Sequence, residues 1–97
     1  EMEIIDTNFP ESFQVKAIYP NPFNPDAHIS YSILQNTDLT ISVSDITGKN
    51  VKTIFEGNQN LGQYHRKWQA GVYPSGIYFI NISTSIYSVT QKIVLIK

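Results

Sequence analysis

The 97-residue sequence contains no cysteine, one tryptophan and only five glycines. The absence of cysteine excludes both a disulfide scaffold and a thiolate zinc site. No apolar run approaches the ~18 residues of a membrane-spanning helix. The first residues lack the basic and apolar regions of a signal peptide, so export would need a signal upstream of Glu1. We therefore expect a module without a membrane span, taken from the end of a longer protein.

Charged residues are also scarce, at 15% of the sequence, with seven basic and eight acidic side chains and a net charge of −1. Nucleic-acid-binding domains usually carry a basic patch or stripe, whereas the only adjacent basic pair here is Arg66-Lys67. We therefore expect no nucleic-acid partner. The abundance of Ser, Thr, Asn, Tyr and Ile favours β-structure with a neutral surface, which is typical of exported domains.

No segment has the 3.6-residue period of an amphipathic helix, whereas several alternate apolar and polar residues with the period of a strand. The alternation is clearest at Ile29, Tyr31 and Ile33. Turn signals separate seven such segments, which predicts an all-β immunoglobulin-like sandwich of about seven antiparallel strands without a disulfide. The predicted strands are residues 13–19, 28–34, 39–46, 51–55, 63–69, 77–83 and 87–96. Residues 1–12 are interpreted as a linker and residues 13–97 as the domain.

Three details of the strands are specific predictions. In the first strand, Phe13, Val15 and Ala17 alternate and are predicted to face the core. Residues 56–60, which are mostly polar, are predicted to form a loop after the fourth strand. The strand at 77–83 is apolar on both faces, which predicts a central position in its sheet.

Three of the five prolines lie within six residues, at Pro20, Pro22 and Pro25. Each proline fixes its φ angle and lacks an amide donor, and each restricts the preceding residue to extended conformations. A segment of this kind cannot occupy the middle of a sheet. It predicts a stiff corner between the first two strands, with Tyr19 and Phe23 as apolar anchors.

The sequence offers little that resembles a catalytic or metal site. His28 and His65 are far apart and have no partner at metal-ligand spacing, so they are interpreted as exposed strand histidines. Asp26, Asp38 and Asp45 lie in predicted turns, where Asp is common, and a calcium site built from loop carboxylates stays open as an alternative. There is no nucleophile elbow and no phosphate-binding loop. We therefore expect no enzyme activity, no catalytic or metal-binding residues and no cofactor.

Five sequence pieces together carry a family resemblance. They are Tyr19-Pro-Asn-Pro-Phe-Asn-Pro25, the stretch from Ile41 to Ile54 with Asp45-Ile-Thr-Gly48, Gly62-Gln-Tyr-His-Arg-Lys-Trp68, Pro74-Ser-Gly-Ile-Tyr-Phe-Ile80, and Gln91-Lys-Ile-Val-Leu-Ile-Lys97. In this order the pieces resemble the type A C-terminal sorting domain of the type IX (Por) secretion system. They also resemble the related immunoglobulin-like domain of the flagellar hook-capping protein.

The resemblance implies a sorting signal that directs a larger cargo through the periplasm and across the outer membrane to the cell surface or medium. The implied partners are the outer-membrane translocon and a sortase that removes the domain and attaches the cargo, in some cases to lipopolysaccharide. The translocon is expected to recognise the last strand by strand addition, through Lys92, Ile93, Val94, Leu95, Ile96 and Lys97, together with the chain-terminal carboxylate. The implied structural motif residues are Tyr19, Pro20, Asn21, Pro22, Phe23, Asn24, Pro25, Asp45, Gly48, Trp68, Ser75, Gly76 and Tyr78.

Two other interpretations stay open. A carbohydrate-binding or adhesive module of a secreted enzyme predicts an exposed aromatic platform for a glycan, for which Tyr64, Trp68, Tyr73 and Tyr78 are the candidates. A structural spacer, like the hook-capping relative, predicts self-association without any effect on export.

Overall fold

The computed structural model describes residues 12–97, which contain seven β-strands and no helix. The proposed linker therefore lies outside the described residues, apart from Ser12. The strands are β1 (Phe13–Tyr19), β2 (Asp26–Ile33), β3 (Thr37–Asp45), β4 (Asn50–Gln59), β5 (Gly62–Gln69), β6 (Gly76–Ser83) and β7 (Ser88–Leu95). The predicted all-β class and the number of strands are confirmed.

The strands form two antiparallel sheets. Sheet A has the order β1-β2-β5, and sheet B has the order β4-β3-β6-β7. In a constant-type immunoglobulin arrangement the fourth strand joins the first, second and fifth, whereas here β4 pairs with β3. The central position of the sixth strand is also confirmed, because β6 lies between β3 and β7.

The core consists of apolar side chains that alternate along the strands and meet between the two sheets. Strand β2 contributes Ile29, Tyr31 and Ile33, each at most 2% exposed. Sheet B supplies matching rows from its two inner strands. The other fully buried contributors include Phe13, Phe23, Leu39, Ile41, Val43, Trp68, Ile80, Ile82, Ile93 and Leu95. One continuous core of this kind can stabilise a domain of this size without a disulfide.

The predicted inward face of β1 is wrong beyond Val15. The register shifts between Val15 and Ala17 relative to β2, which leaves Lys16 as an extra residue in the strand. A β-bulge of this type reverses the alternation that follows it. Ala17 is therefore exposed, and Ile18 packs against the core instead.

The predicted loop at 56–60 is also wrong, because β4 continues to Gln59 and pairs with the start of β3. Its polar residues belong to an edge strand, where one side chain in two faces solvent. Gln59 is 9% exposed and accepts a 2.7 Å hydrogen bond from the Tyr31 hydroxyl. The amide oxygen thus gives the proton of this buried hydroxyl an acceptor.

Candidate recognition surface

The structure brings part of each of the five motif pieces together at one end of the sandwich. Because neighbouring strands are antiparallel, this end collects the last residues of β1, β3, β5 and β7 and the first residues of β2, β4 and β6. We call this region the motif end. It comprises residues 19–25, 45–48, 68, 75–78 and 92–97.

Residues 19–25, called here the proline segment, lie along the outer edge of β7. The backbone amide of Phe23 donates to the Val94 carbonyl at 2.9 Å, and the Phe23 carbonyl accepts from the Ile96 amide at 3.0 Å. The Asn21 side chain extends this pairing. Its Nδ2 donates to the Lys92 carbonyl at 3.1 Å, and its Oδ1 accepts from the Val94 amide at 3.0 Å. One side chain and one residue of backbone therefore substitute for a neighbouring strand.

Phe23 also anchors the proline segment in the core. Its ring is 1% exposed and lies 5.6 Å, centroid to centroid, from the ring of Trp68. Trp68 in turn contacts Tyr73 at 5.4 Å and Tyr78 at 5.3 Å. The Trp68 Nε1–H has no hydrogen-bond acceptor among the residues described, so this ring stabilises the motif end by packing.

The chain after β7 is held by the loop that precedes β6. The Lys97 amide donates to the Ser75 hydroxyl at 3.1 Å, and the Lys97 ammonium donates to the Gly71 carbonyl at 2.6 Å. Gly76 pairs with Leu95 where β6 begins. These contacts explain why the Ser75-Gly76 piece and the last residues belong to the same motif.

Tyr78 fixes this loop from the core side. Its hydroxyl donates to the Pro74 carbonyl at 2.6 Å. Burial, helped by the nearby Asp45 carboxylate, raises the pKa of the Tyr78 hydroxyl above its ordinary value. The phenol therefore stays protonated and remains a donor.

The β3–β4 hairpin is organised by Asp45. Its Oδ1 accepts hydrogen bonds from the Thr47 hydroxyl at 2.6 Å, the Thr47 amide at 2.9 Å and the Lys49 amide at 3.1 Å. These bonds, above all the one from the Thr47 hydroxyl, hold the pKa of the Asp45 carboxyl below its ordinary value. Gly48 has a φ of 90°, in the left-handed region that favours glycine. The predicted tight turn is confirmed.

Residues 92–97 present three exposed side chains and hide two. Lys92, Ile96 and Lys97 are exposed, whereas Ile93 and Leu95 are buried in the core. Recognition by strand addition would require unpaired backbone groups along the outer edge of β7. In the structure this edge is already paired, because the Lys92 carbonyl, both backbone groups of Val94 and the Ile96 amide all have partners. A strand could add along residues 92–96 only after displacing the proline segment.

The aromatic platform expected of a glycan-binding module is absent from the described residues. Trp68 and Tyr78 are only 2% and 4% exposed. Tyr64 lies elsewhere, stacked on Tyr31 at 5.6 Å. The four candidate aromatic residues therefore build the core and its rim rather than a surface for sugar stacking.

Neither a metal cage nor a membrane helix appears in residues 12–97. No group of three or more His, Asp or Glu side chains there could hold a metal ion, so Asp26, Asp38 and Asp45 do not converge. Within the same residues, no helix is long and apolar enough to cross a membrane.

Sequence reasoning missed one pair of side chains. His28 and His65 are 37 residues apart, but β2 and β5 are neighbours, and the two rings meet with Nδ1 of His28 3.1 Å from Nε2 of His65. The alternation in each strand correctly predicts that both point away from the core. Only the pairing register shows that they meet, and that register is not visible in either segment alone.

Two comparisons with known proteins bear on this chain. A family model described as "Secretion system C-terminal sorting domain" matches residues 17–97. The match includes every piece of the motif end and begins inside β1. Comparison with curated proteins gives no significant match.

Proposed function

Because this chain belongs to the family of secretion system C-terminal sorting domains, we propose that the outer-membrane translocon of the type IX system recognises the folded motif end. The domain is a C-terminal sorting signal for type IX secretion, and its cargo is secreted or attached to the cell surface. Interaction with the secretion machinery follows from that role. The proposal concerns which surface makes that interaction.

The observation that supports the proposal is the convergence of sequence-distant pieces around residues 92–97. Hydrogen bonds with Asn21, Phe23 and Ser75 fix the backbone of this stretch from two sides. A rigid backbone reduces the conformational entropy lost when a partner binds. The exposed side chains of Lys92, Ile96 and Lys97 are thereby presented in one geometry.

We propose that these three side chains form the first contact with the translocon. Two ammonium groups and an apolar side chain suit a partner surface with carboxylates around an apolar pocket. Ile96 is 50% exposed, and Tyr19 at the start of the proline segment is 46% exposed. Both lie at the same end of the sandwich and can widen the apolar contact.

The fate of the domain is part of the same proposal. After export, a cell-surface sortase removes the domain, and the cargo is attached at the surface, in some cases to lipopolysaccharide. Residues 1–12 are the proposed linker to the cargo, and residues 13–97 are the domain that is removed. The boundary is supported by the start of β1 at Phe13, which is fully buried.

We also propose that the domain itself has no catalytic activity. One cleft among the described residues has a volume of about 520 Å³ and is lined by Asp38, Glu56 and neighbouring Thr and Ser residues. A second cleft is lined by Lys52, Lys67 and Trp68. Neither contains a histidine or cysteine that could pair with a hydroxyl as base or nucleophile.

The test is export of a periplasmic reporter fused to the N-terminus of the 97-residue chain, in cells with and without a working translocon. We expect the reporter outside the cell only when the translocon is present, with the domain removed. Retention of a folded fusion in the periplasm of both strains would contradict the sorting role of this chain.

Recognition by the exposed side chains is tested separately with the double substitution Lys92→Ala and Lys97→Ala. We expect the reporter to accumulate in the periplasm although the domain folds, because neither side chain is buried and, among the described residues, the only bond lost is the exposed one from the Lys97 ammonium to the Gly71 carbonyl. The matched control is Lys16→Ala with Lys52→Ala, which removes two exposed lysines away from residues 92–97. Normal export of the first variant would contradict the proposed contact and leave the sorting role intact.

A further inference from the structure

The sequence contains two histidines, and both lie on the outer face of sheet A, in contact with each other. His28 lies in β2 between the buried residues Ala27 and Ile29, so its ring points away from the core. His65 lies in β5, where Ser30 is its partner in the register and His28 is opposite Lys67. The two histidines are therefore diagonal neighbours on one face of the sheet.

The geometry of the pair is well defined. The ring centroids are 5.1 Å apart with an interplanar angle of 30°. On its other side, the His28 ring stacks on Tyr19 at 5.3 Å with an angle of 17°. This stacking limits the rotation of one imidazole, so the site is partly preorganised.

We propose that His28 and His65 chelate a divalent transition-metal ion through Nδ1 of His28 and Nε2 of His65. Imidazole nitrogens are preferred ligands of Cu²⁺, Ni²⁺ and Zn²⁺. The two nitrogens are 3.1 Å apart. A metal bound about 2.0–2.1 Å from each would have an N–metal–N angle of about 100°. This angle lies between those of square-planar and tetrahedral sites.

The distance is also informative without a metal. Two neutral imidazoles at this separation share one ring proton in a hydrogen bond, so one nitrogen is a donor and the other an acceptor. Metal binding replaces this hydrogen bond, because both facing nitrogens must then offer a lone pair. The donor imidazole therefore changes tautomer, and its single ring proton moves through solvent to the other ring nitrogen, which faces away from the metal. The backbone already places the two nitrogens at chelating distance, so the exchange requires this change of tautomer and small adjustments of the rings.

Within residues 12–97, the surroundings of the pair add no third protein ligand and little net charge. Lys67 is directly opposite His28, but its ammonium lies 3.9 Å from the Asp26 carboxylate, which offsets its charge near the metal. The two histidines are the only protein ligands, because no third candidate converges among the described residues. The remaining positions are filled by water. Affinity should therefore follow the order Cu²⁺ above Ni²⁺ and Zn²⁺.

The experiment is a Cu²⁺ titration of the purified 97-residue chain, without an affinity tag, followed by proton NMR. With only two histidines, the imidazole C–H signals can be assigned from the single variants His28→Gln and His65→Gln. We expect substoichiometric Cu²⁺ to broaden the signals of both histidines together. Removal of either ligand should weaken binding by about tenfold or more.

The matched control is Gln63→Ala, which removes an exposed polar side chain two residues from His65 on the same face of β5. It should bind Cu²⁺ as the unmodified chain does. The proposal is overturned if Cu²⁺ broadens one histidine without the other, or if a single variant binds as tightly as the unmodified chain. Retention on immobilised Ni²⁺ provides a second readout, with the same order of variants expected.

Discussion

The contact between Asn21 and the edge of β7 provides a sharp test of how the motif end is held together. Asn21→Ala removes two hydrogen bonds, to the Lys92 carbonyl and from the Val94 amide, and both are exposed to solvent. An exposed hydrogen bond contributes about 0.5 kcal/mol, at the lower end of the usual range, so the free energy of unfolding should fall by about 1 kcal/mol. For a domain of this size the melting temperature would fall by roughly 4–8 °C.

The local effect should be confined to the β7 edge. Asn21 Oδ1 is the acceptor recorded for the Val94 amide, so hydrogen exchange at Val94 should become about fivefold faster for a loss of about 1 kcal/mol. Amides of β2 and β3 should be affected only through global stability. Native-state hydrogen exchange followed by NMR measures both effects in one sample.

The matched control is Asn24→Ala. Asn24 lies in the same segment, also precedes a proline and is exposed, but no side-chain hydrogen bond to another described residue is recorded for it. The Asn24→Ala substitution should leave both the melting temperature and the Val94 exchange rate unchanged. Equal effects of the two substitutions, or normal exchange at Val94 in Asn21→Ala, would refute the assignment of Asn21 as a substitute for a neighbouring strand.

Three further substitutions, two of them with a comparison variant, test other parts of the fold. Asp45→Asn keeps an acceptor but removes the charge. Because the folded-state pKa of Asp45 is lowered, the charged form stabilises the fold above the ordinary value of 3.8. This stabilisation is lost as the pH falls through the lowered pKa. The difference in unfolding free energy between variant and unmodified chain should therefore shrink on acidification, and a constant difference would contradict it. Tyr31→Phe leaves Gln59 Oε1 and Arg66 Nε without their partner and should cost about 1–3 kcal/mol. Tyr64→Phe, which loses an exposed bond to the Asn60 carbonyl, should cost less, as denaturant titration will show. Gly48→Ala should destabilise by about 1–2 kcal/mol because of its positive φ, and Gly48→Asn by less, although a Cβ at this position would have no atom within 4 Å. Equal losses of unfolding free energy in Gly48→Ala and Gly48→Asn would point to a steric cause.

Regular alternation made most of the strands predictable. Residues 28–33 and 39–44 alternate without interruption, and the structure places Ile29, Ile41 and Val43 in the core as expected. The failures occurred where the alternation depends on a partner. The bulge at Lys16 is defined only by the register of β1 on β2, and the polar end of β4 is stabilised by pairing with β3.

The candidate site was less predictable than the fold for the same reason. The sequence identified the proline segment and the last strand as separate motif pieces. It did not show that Asn21 and Phe23 satisfy the edge of β7, because that contact joins residues more than 70 positions apart. The His28–His65 pair was likewise hidden, since each histidine has an ordinary environment within its own strand.

The assembly of the motif end from distant parts of the chain has a consequence for cargo quality. A peptide copy of residues 92–97 lacks the Asn21, Phe23 and Ser75 groups that fix its backbone, so it has no defined conformation to present. Under the proposed recognition, a truncated or unfolded domain would bind the translocon poorly even though its last six residues are intact. Export would then select for cargo whose final domain has completed folding in the periplasm.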